Sequence, residues 1–179
     1  MSGRPPRRVL IVDGYNVINA RGRAVGNLAD ARDWLLKALT DYAGWSGQDV
    51  TVVFDAWMSD RAGRTEERHG PVTVVYTRKG EIADHYIERL CDEYARDIQD
   101  RRVEVRVASS DALEQTIVLG RGAVRLSARE LMYEMQAMRE TGIRYAAPAE
   151  KPALRKSAIG DRVPEDVRRR LDEMRGKRQ

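Results

Sequence analysis

The sequence predicts an α/β protein with a mainly parallel central sheet and helices on both faces. Three observations predict it. Short apolar runs rich in β-branched residues (Val9–Val12, Val50–Phe54 and Val72–Tyr76) read as strands buried on both faces, as in parallel sheets. Longer stretches of helical period separate several of these runs. The two kinds of segment alternate along most of the chain, which implies crossover connections.

Taken in order, Val9–Val12 closes on Asp13-Gly14-Tyr15-Asn16, and a polar, glycine-containing stretch follows to Asn27. Residues 28–45 have apolar positions at Ala31, Leu35, Ala38, Leu39 and Tyr42, a helical stripe, with Gly44 and Gly47 as its end. Val50–Phe54 closes on Asp55, and residues 56–71 read as a polar loop. After Val72–Tyr76 comes an amphipathic helix over 81–98, with Ala83, Ile87, Leu90, Cys91, Tyr94 and Ile98 on one stripe. Val103–Val107 is a fourth strand with polar alternates. Ser109-Ser110-Asp111 offers N-caps for a short helix over 112–119, ended by Gly120 and Gly122. Residues 123–126 form a fifth strand, and Ser127 with Glu130 makes a capping box for a helix over 128–140. The domain is expected to span 1–145, with 1–7 as a basic extension. Residues 146–179 are expected to be a basic arm ending in a charged helix over 165–175.

Composition narrows the function classes. The 179 residues are 42% hydrophobic and 34% charged, and no apolar run approaches the roughly 20 residues that cross a bilayer. The single cysteine, Cys91, excludes an internal disulfide and a multi-cysteine zinc site. The expectation is a cytoplasmic protein without a membrane partner. Net charge is +4, but its distribution says more. Residues 1–8 carry three Arg and no acid, and residues 150–179 carry ten basic against six acidic side chains. The middle has nineteen basic and twenty-two acidic residues. An acidic centre with basic extensions suits an enzyme that meets a polyanion through metal ions, and equally a core with solubilising tails.

The chemistry points to the strand ends, where open α/β sheets bind ligands. Asp13, with Asn16 three residues on, closes the first run; Asp55 closes the second; Ser110 and Asp111 follow the fourth. Glu81 and Asp84 open the long helix at a spacing that puts both on one face. Crowded carboxylates repel unless a cation joins them, and oxygen-only ligation suits Mg²⁺ or Mn²⁺. Each acid also has an ordinary reading: Asp13 and Asp55 in turns, Asp84 and Glu81 at a helix N-terminus, Asp111 as an N-cap. Arg61, Arg64, Arg68, Arg78 and Lys79 flank the third strand and suit a phosphate backbone or a solvated loop. Tyr15 suits base stacking or core packing. Two scattered histidines, His69 and His85, do not suggest a histidine catalyst. A haloacid-dehalogenase-type phosphatase wants a second acid two residues after Asp13, where Tyr15 stands. A receiver domain wants paired acids at the first strand end.

The ordered set Val12-Asp13-Gly14-Tyr15-Asn16, Val52-Val53-Phe54-Asp55-Ala56, Glu81-Ile82-Ala83-Asp84, Val107-Ala108-Ser109-Ser110-Asp111, Glu114-Gln115, Gly120-Arg121-Gly122-Ala123 and Ser127-Ala128-Arg129-Glu130-Leu131 resembles the YacP-like branch of the NYN domains. These belong to the PIN-like nuclease superfamily. The likeness covers roughly residues 8–140, and Lys151-Pro152 looks like the start of the family's tail. It implies a three-layer PIN-like fold and a divalent-metal-dependent endoribonuclease that cuts mRNA at the ribosome. Position by position it implies that Asp13 and Asp84 are the essential acids, that Asp111 and Asp55 are further acids of the rim and that Asn16 is the motif's asparagine. The mechanism expected from these has Asp13, Asp84 and Asp111 hold the metal, with Glu81 and Asp55 tuning the site. Asn16, Ser110, Tyr15 and the arginines would then face the RNA. The chain departs from the family in carrying Ile82 where a threonine commonly follows the glutamate. The rival expectation is a non-catalytic RNA- or ribosome-binding module with the same fold.

Overall fold

In a computed structural model of the chain, residues 5–22, 27–56, 63–110, 120 and 122–146 are described. Six strands form one sheet: β1 (Arg7–Asp13), β2 (Asp49–Phe54), β3 (Thr65–His69), β4 (Val72–Tyr76), β5 (Val103–Ala108) and β6 (Val124–Leu126). Their order across the sheet is β3-β4-β2-β1-β5-β6. Every pairing is parallel except β3 with β4. The chain builds outward from β1 in one direction through β2 and β4, then returns to the other side for β5 and β6. The strand order therefore reverses between β1 and β5, the place where such sheets bind ligands at their C-terminal ends.

Helices α1 (Gly14–Ala20), α2 (Leu28–Ser46) and α4 (Ala128–Ala146) lie on one face, and α3 (Ala83–Gln99) on the other. The two faces carry separate cores, because successive residues of a strand point to opposite sides. Leu10, Val12, Val50, Val52 and Phe54 pack with Val17, Leu35, Leu39 and Leu131. Val9, Ile11, Val53, Val75, Val105 and Val107 pack with Ala83, Ile87 and Cys91. Cys91 is thus a core residue of the α3 stripe. Ser127 and Glu130 close the expected capping box: the Glu130 amide donates to Ser127 Oγ at 3.1 Å and the Ser127 amide to Glu130 Oε2 at 2.7 Å. Three-layer α/β architecture is as the sequence predicts.

Four local expectations are corrected. The stretch after Asp13 is the helix α1; seven residues are too few to display a period, and the signal lay in Asp13 as N-cap. The loop expected over 56–71 contains β3, an edge strand whose Glu66, Glu67, Arg68 and His69 are all exposed, so it lacks apolar alternation. The Gly70-Pro71 pair, with Gly70 at φ 60°, turns β3 into β4 and was its sequence signal. Gly44 lies inside α2, and Gly47, at φ 65°, makes the left-handed cap. Helix α3 starts at Ala83, so Glu81 precedes it and does not share a helical face with Asp84. The expected short helix over 112–119 and the tail over 147–179 fall outside the described residues; α4 itself runs to Ala146.

Candidate functional site

Asp13 ends β1 at the switch point and is only 8% exposed. Its Oδ1 accepts the Asn16 amide at 2.9 Å, which caps α1 and anchors the carboxylate. Gly14 is required beside it: a Cβ there would lie 2.3 Å from the buried Phe54 ring. The Asn16 side chain crosses the switch point, its Oδ1 accepting the Ser110 amide at 2.7 Å. The first turn of α1, directly after β1, is thereby tied to the segment after β5. Ser110 Oγ in turn accepts the Ala128 amide at 3.3 Å, at the start of α4. Tyr15 packs edge-on against Phe54, ring centroids 5.1 Å apart, and is half-buried.

On the β2 side, Asp55 Oδ1 accepts the Ala83 amide at the start of α3. Ile82, the α3 N-cap, has no side-chain acceptor, so the helix end takes its cap from Asp55 across the rim. A residue the sequence reading missed, Thr77, fixes this geometry. It is fully buried, its Oγ1 donating to the Glu81 carbonyl at 2.7 Å and accepting the Ala56 amide at 3.1 Å. A lone threonine after a strand carries no signal in sequence. Asp84 follows in the first turn of α3.

These positions bring Asp55 and Asp84 into electrostatic range of Asp13. Burial, and then repulsion from Asp84 and Asp55, push the Asp13 carboxyl up to about 6, against the opposing pull of the Asn16 amide. Burial also raises Asp55, opposed by the Ala83 amide. Glu81 stands apart from this group. Arg64 Nη2 meets both its oxygens at 2.8 and 3.0 Å, and Arg89 Nη2 meets Oε1. Burial pushes the Glu81 carboxyl up, but the hydrogen bonds from Arg89 and Arg64 outweigh it and hold it below the usual range.

Of the remaining expected residues, Arg68, Arg78 and Lys79 are exposed, whereas Arg61 and Asp111 lie outside the described residues. Arg32 on α2 was not foreseen. It hydrogen-bonds the Tyr15 side chain and so places a guanidinium beside the rim.

The donors present at the rim are oxygen-only, which fits a hard divalent cation. Among the described residues no three acidic, histidine or cysteine side chains are grouped to hold an ion. Mg²⁺ needs only one or two carboxylates when water and phosphate complete its shell. Asp84 lies within electrostatic range of Asp13, and a cation beside Asp13 would favour its ionised form against both burial and that repulsion.

Sheet order, switch point and acidic rim define the class, a PIN-like α/β domain. The chain belongs to the YacP-like NYN domain family, whose match spans residues 10–176. It is 35% identical over 134 residues to the YacP protein of Bacillus subtilis (strain 168), covering 73% of this chain and 76% of that one. The crystal structure of Rae1 (YacP) from Bacillus subtilis superposes with a TM-score of 0.61 at 31% identity, covering 94% of this chain and 95% of the other. A mutant of the same protein gives 0.61 at 34% identity, covering 76% and 80%.

Proposed function

We propose that the protein is a divalent-metal-dependent endoribonuclease acting on mRNA at or near the ribosome, in the cytoplasm. The observation that carries this reading is the acidic group at the switch point: Asp13, whose proton affinity is raised first by its burial and then by Asp84 and Asp55. Asp13 lies buried at a strand end with acidic neighbours, an arrangement that a metal-assisted phosphodiester hydrolase can use. Membership of the YacP-like NYN family supports the same reading.

Asp13 and Asp84 would hold Mg²⁺ or Mn²⁺, with Asp111, next after Ser110 in sequence, a third candidate. When bound, the cation supplies neutralisation of the phosphodiester's developing charge and acidification of water for in-line attack. The rest is the work of the chain. The Asn16 amide fixes the orientation of Asp13, and the Ala83 amide fixes that of Asp55. Asn16 and Ser110 hold the start of α1 and the segment after β5 at one spacing, so the rim is preorganised rather than assembled on the substrate. Hydrolysis on this plan leaves 5′-phosphate and 3′-hydroxyl ends.

A second reading has its own observation. Asp13 and Asp55 each satisfy a helix N-terminus, a purely structural duty, so a non-catalytic RNA-binding module would also keep them. Cleavage of an mRNA under translation, with Mg²⁺ or Mn²⁺ and with naked RNA in parallel, separates the two. A cut made by the wild type and lost in a folded Asp13→Asn variant supports the nuclease. The naked-RNA reaction reports whether the ribosome must present the substrate. RNA binding without any metal-dependent cut favours the module.

A further inference from the structure

We propose that Glu81 is a positioning residue that organises Arg64 and Arg89 into a phosphate-binding pair for single-stranded RNA on the α3 flank of the rim. This inference rests on the RNA reading above and changes the role expected of Glu81.

The geometry is specific. Both guanidinium groups meet one carboxylate, and each does so through Nη2, so each has further N–H groups for an anion. Both also lie over the ring of Tyr86, Arg64 with its Cζ 4.4 Å from the centroid and Arg89 at 5.5 Å. One acid and one ring therefore brace two arginines that come from different elements. Covering is unequal: the Glu81 side chain is 7% exposed, while those of Arg64 and Arg89 are 33% and 45% exposed. The carboxylate lies beneath the guanidinium groups and they face outward. In that position Glu81 does not present its oxygens to a cation held by Asp13 and Asp84.

Place matters as much as charge. Thr77 holds the Glu81 carbonyl, and Asp55 holds Ala83 two residues on, so the arginine pair is built onto the same frame as Asp84. Bulk electrostatics alone would be a weak attraction. Arg78 and Lys79 lie on the neighbouring loop, but Glu66 and Glu93 act on Tyr86 from the other side. Attraction for phosphate must then come from two preoriented guanidinium forks rather than from net charge.

That distinction fixes the sign of the test. The full chain is titrated against a fluorescein-labelled single-stranded RNA in EDTA, with anisotropy as the readout and salt varied. Glu81→Gln adds a positive increment yet loosens the pair, so it is expected to weaken binding several-fold. Arg64→Gln/Arg89→Gln is expected to weaken binding and to flatten the plot of log affinity against log salt by about 1.4, two phosphate contacts on a single strand. The shift in melting temperature caused by Mn²⁺ is expected to be the same in Glu81→Gln as in the wild type. Tighter or unchanged RNA binding by a folded Glu81→Gln overturns the proposal, as does loss of its Mn²⁺ shift. Should Glu81→Gln fail to fold, the double variant, which alters partly exposed side chains, decides by its affinity and salt slope. Cleavage enters none of these measurements, so a protein that bound RNA through this pair but never cut it would sink the nuclease and leave the inference standing.

Discussion

Two polar clusters on opposite parts of the sheet use charge in opposite ways. At the rim, burial and then the field of Asp84 and Asp55 raise the Asp13 carboxyl to about 6. Between β5, α2 and α4, Arg106 clasps Glu134 through Nη1 at 3.0 Å and Nη2 at 2.6 Å. The Tyr42 hydroxyl donates to the same carboxylate at 2.8 Å and accepts from Gln48 at 3.0 Å. There the Arg106 hydrogen bond outweighs burial, and the Glu134 carboxyl is held below its usual range. Burial raises both carboxyls, and at Asp13 it is the largest influence. The charged neighbours act with opposite sign: Arg106 pairs with Glu134 and ties a helix to the sheet, whereas Asp84 and Asp55 add to the effect of burial on Asp13.

The comparison is broken most forcefully at Asp13. A carboxyl whose folded pKa lies near 6, above its unfolded value of 3.8, binds its proton more tightly in the folded state. Its contribution to stability is therefore present below about pH 4 and lost as pH rises through 6. Ionised Asp13 is expected to cost up to about 3 kcal/mol at neutral pH in metal-free buffer. Asp13→Asn keeps an N-cap acceptor for the Asn16 amide and removes that charge. It should thus melt higher than the wild type at pH 7 in EDTA, with the gain vanishing near pH 4. An Asp13→Asn protein that is less stable at pH 7 would show the rim to be structural. Mn²⁺ sharpens the same point: ten times its dissociation constant should stabilise the wild type by about 1.4 kcal/mol and Asp13→Asn far less.

Glu134 titrates with the opposite sign. Its lowered pKa gives a contribution present above the unfolded value and lost as pH falls through the folded one. Glu134→Ala strips Arg106 of its bidentate partner and Tyr42 of its acceptor. A loss of about 2 kcal/mol is expected, read as a lower denaturant midpoint at pH 7. The rim should be untouched, so RNA cleavage measured well below the melting temperature should match the wild type. A cleavage defect there would mean that the two clusters communicate.

Much of this division was legible in the sequence. Strand runs ending in Asp13 and Asp55 place both acids at one edge of a parallel sheet, because a parallel sheet puts all its C-terminal ends together. The Ser127–Glu130 box and the α3 stripe were equally plain, being local patterns of fixed spacing. What could not be read was partnership across the chain. Nothing near Glu81 in sequence announces Arg64, seventeen residues away on the edge hairpin. Nor does Arg106 announce Glu134, twenty-eight residues on. A carboxylate at a strand end looks the same whether its neighbour will be another carboxylate or a guanidinium, and that neighbour decides its chemistry. The edge strand β3 escaped for a different reason: exposed on both faces, it has no apolar period to betray it.

Thr77 offers the finest test, since its hydroxyl is bonded on both sides next to the acids of the rim. Its hydroxyl bridges the Ala56 amide and the Glu81 carbonyl, and so sets where Asp55 and the start of α3 stand. Thr77→Val keeps the volume and leaves both backbone groups without that partner, a loss of about 1 kcal/mol. The stability effect is small, but the rim gives it a second readout. If Thr77 holds Asp55 and Asp84 near Asp13, loosening it relaxes the repulsion, and the Asp13 carboxyl should titrate lower than in the wild type. Carboxyl chemical shifts followed against pH in metal-free buffer measure this directly. An unchanged Asp13 titration in a destabilised Thr77→Val protein would mean that the acids are held by the Asp55 cap and the Asn16–Ser110 tie alone.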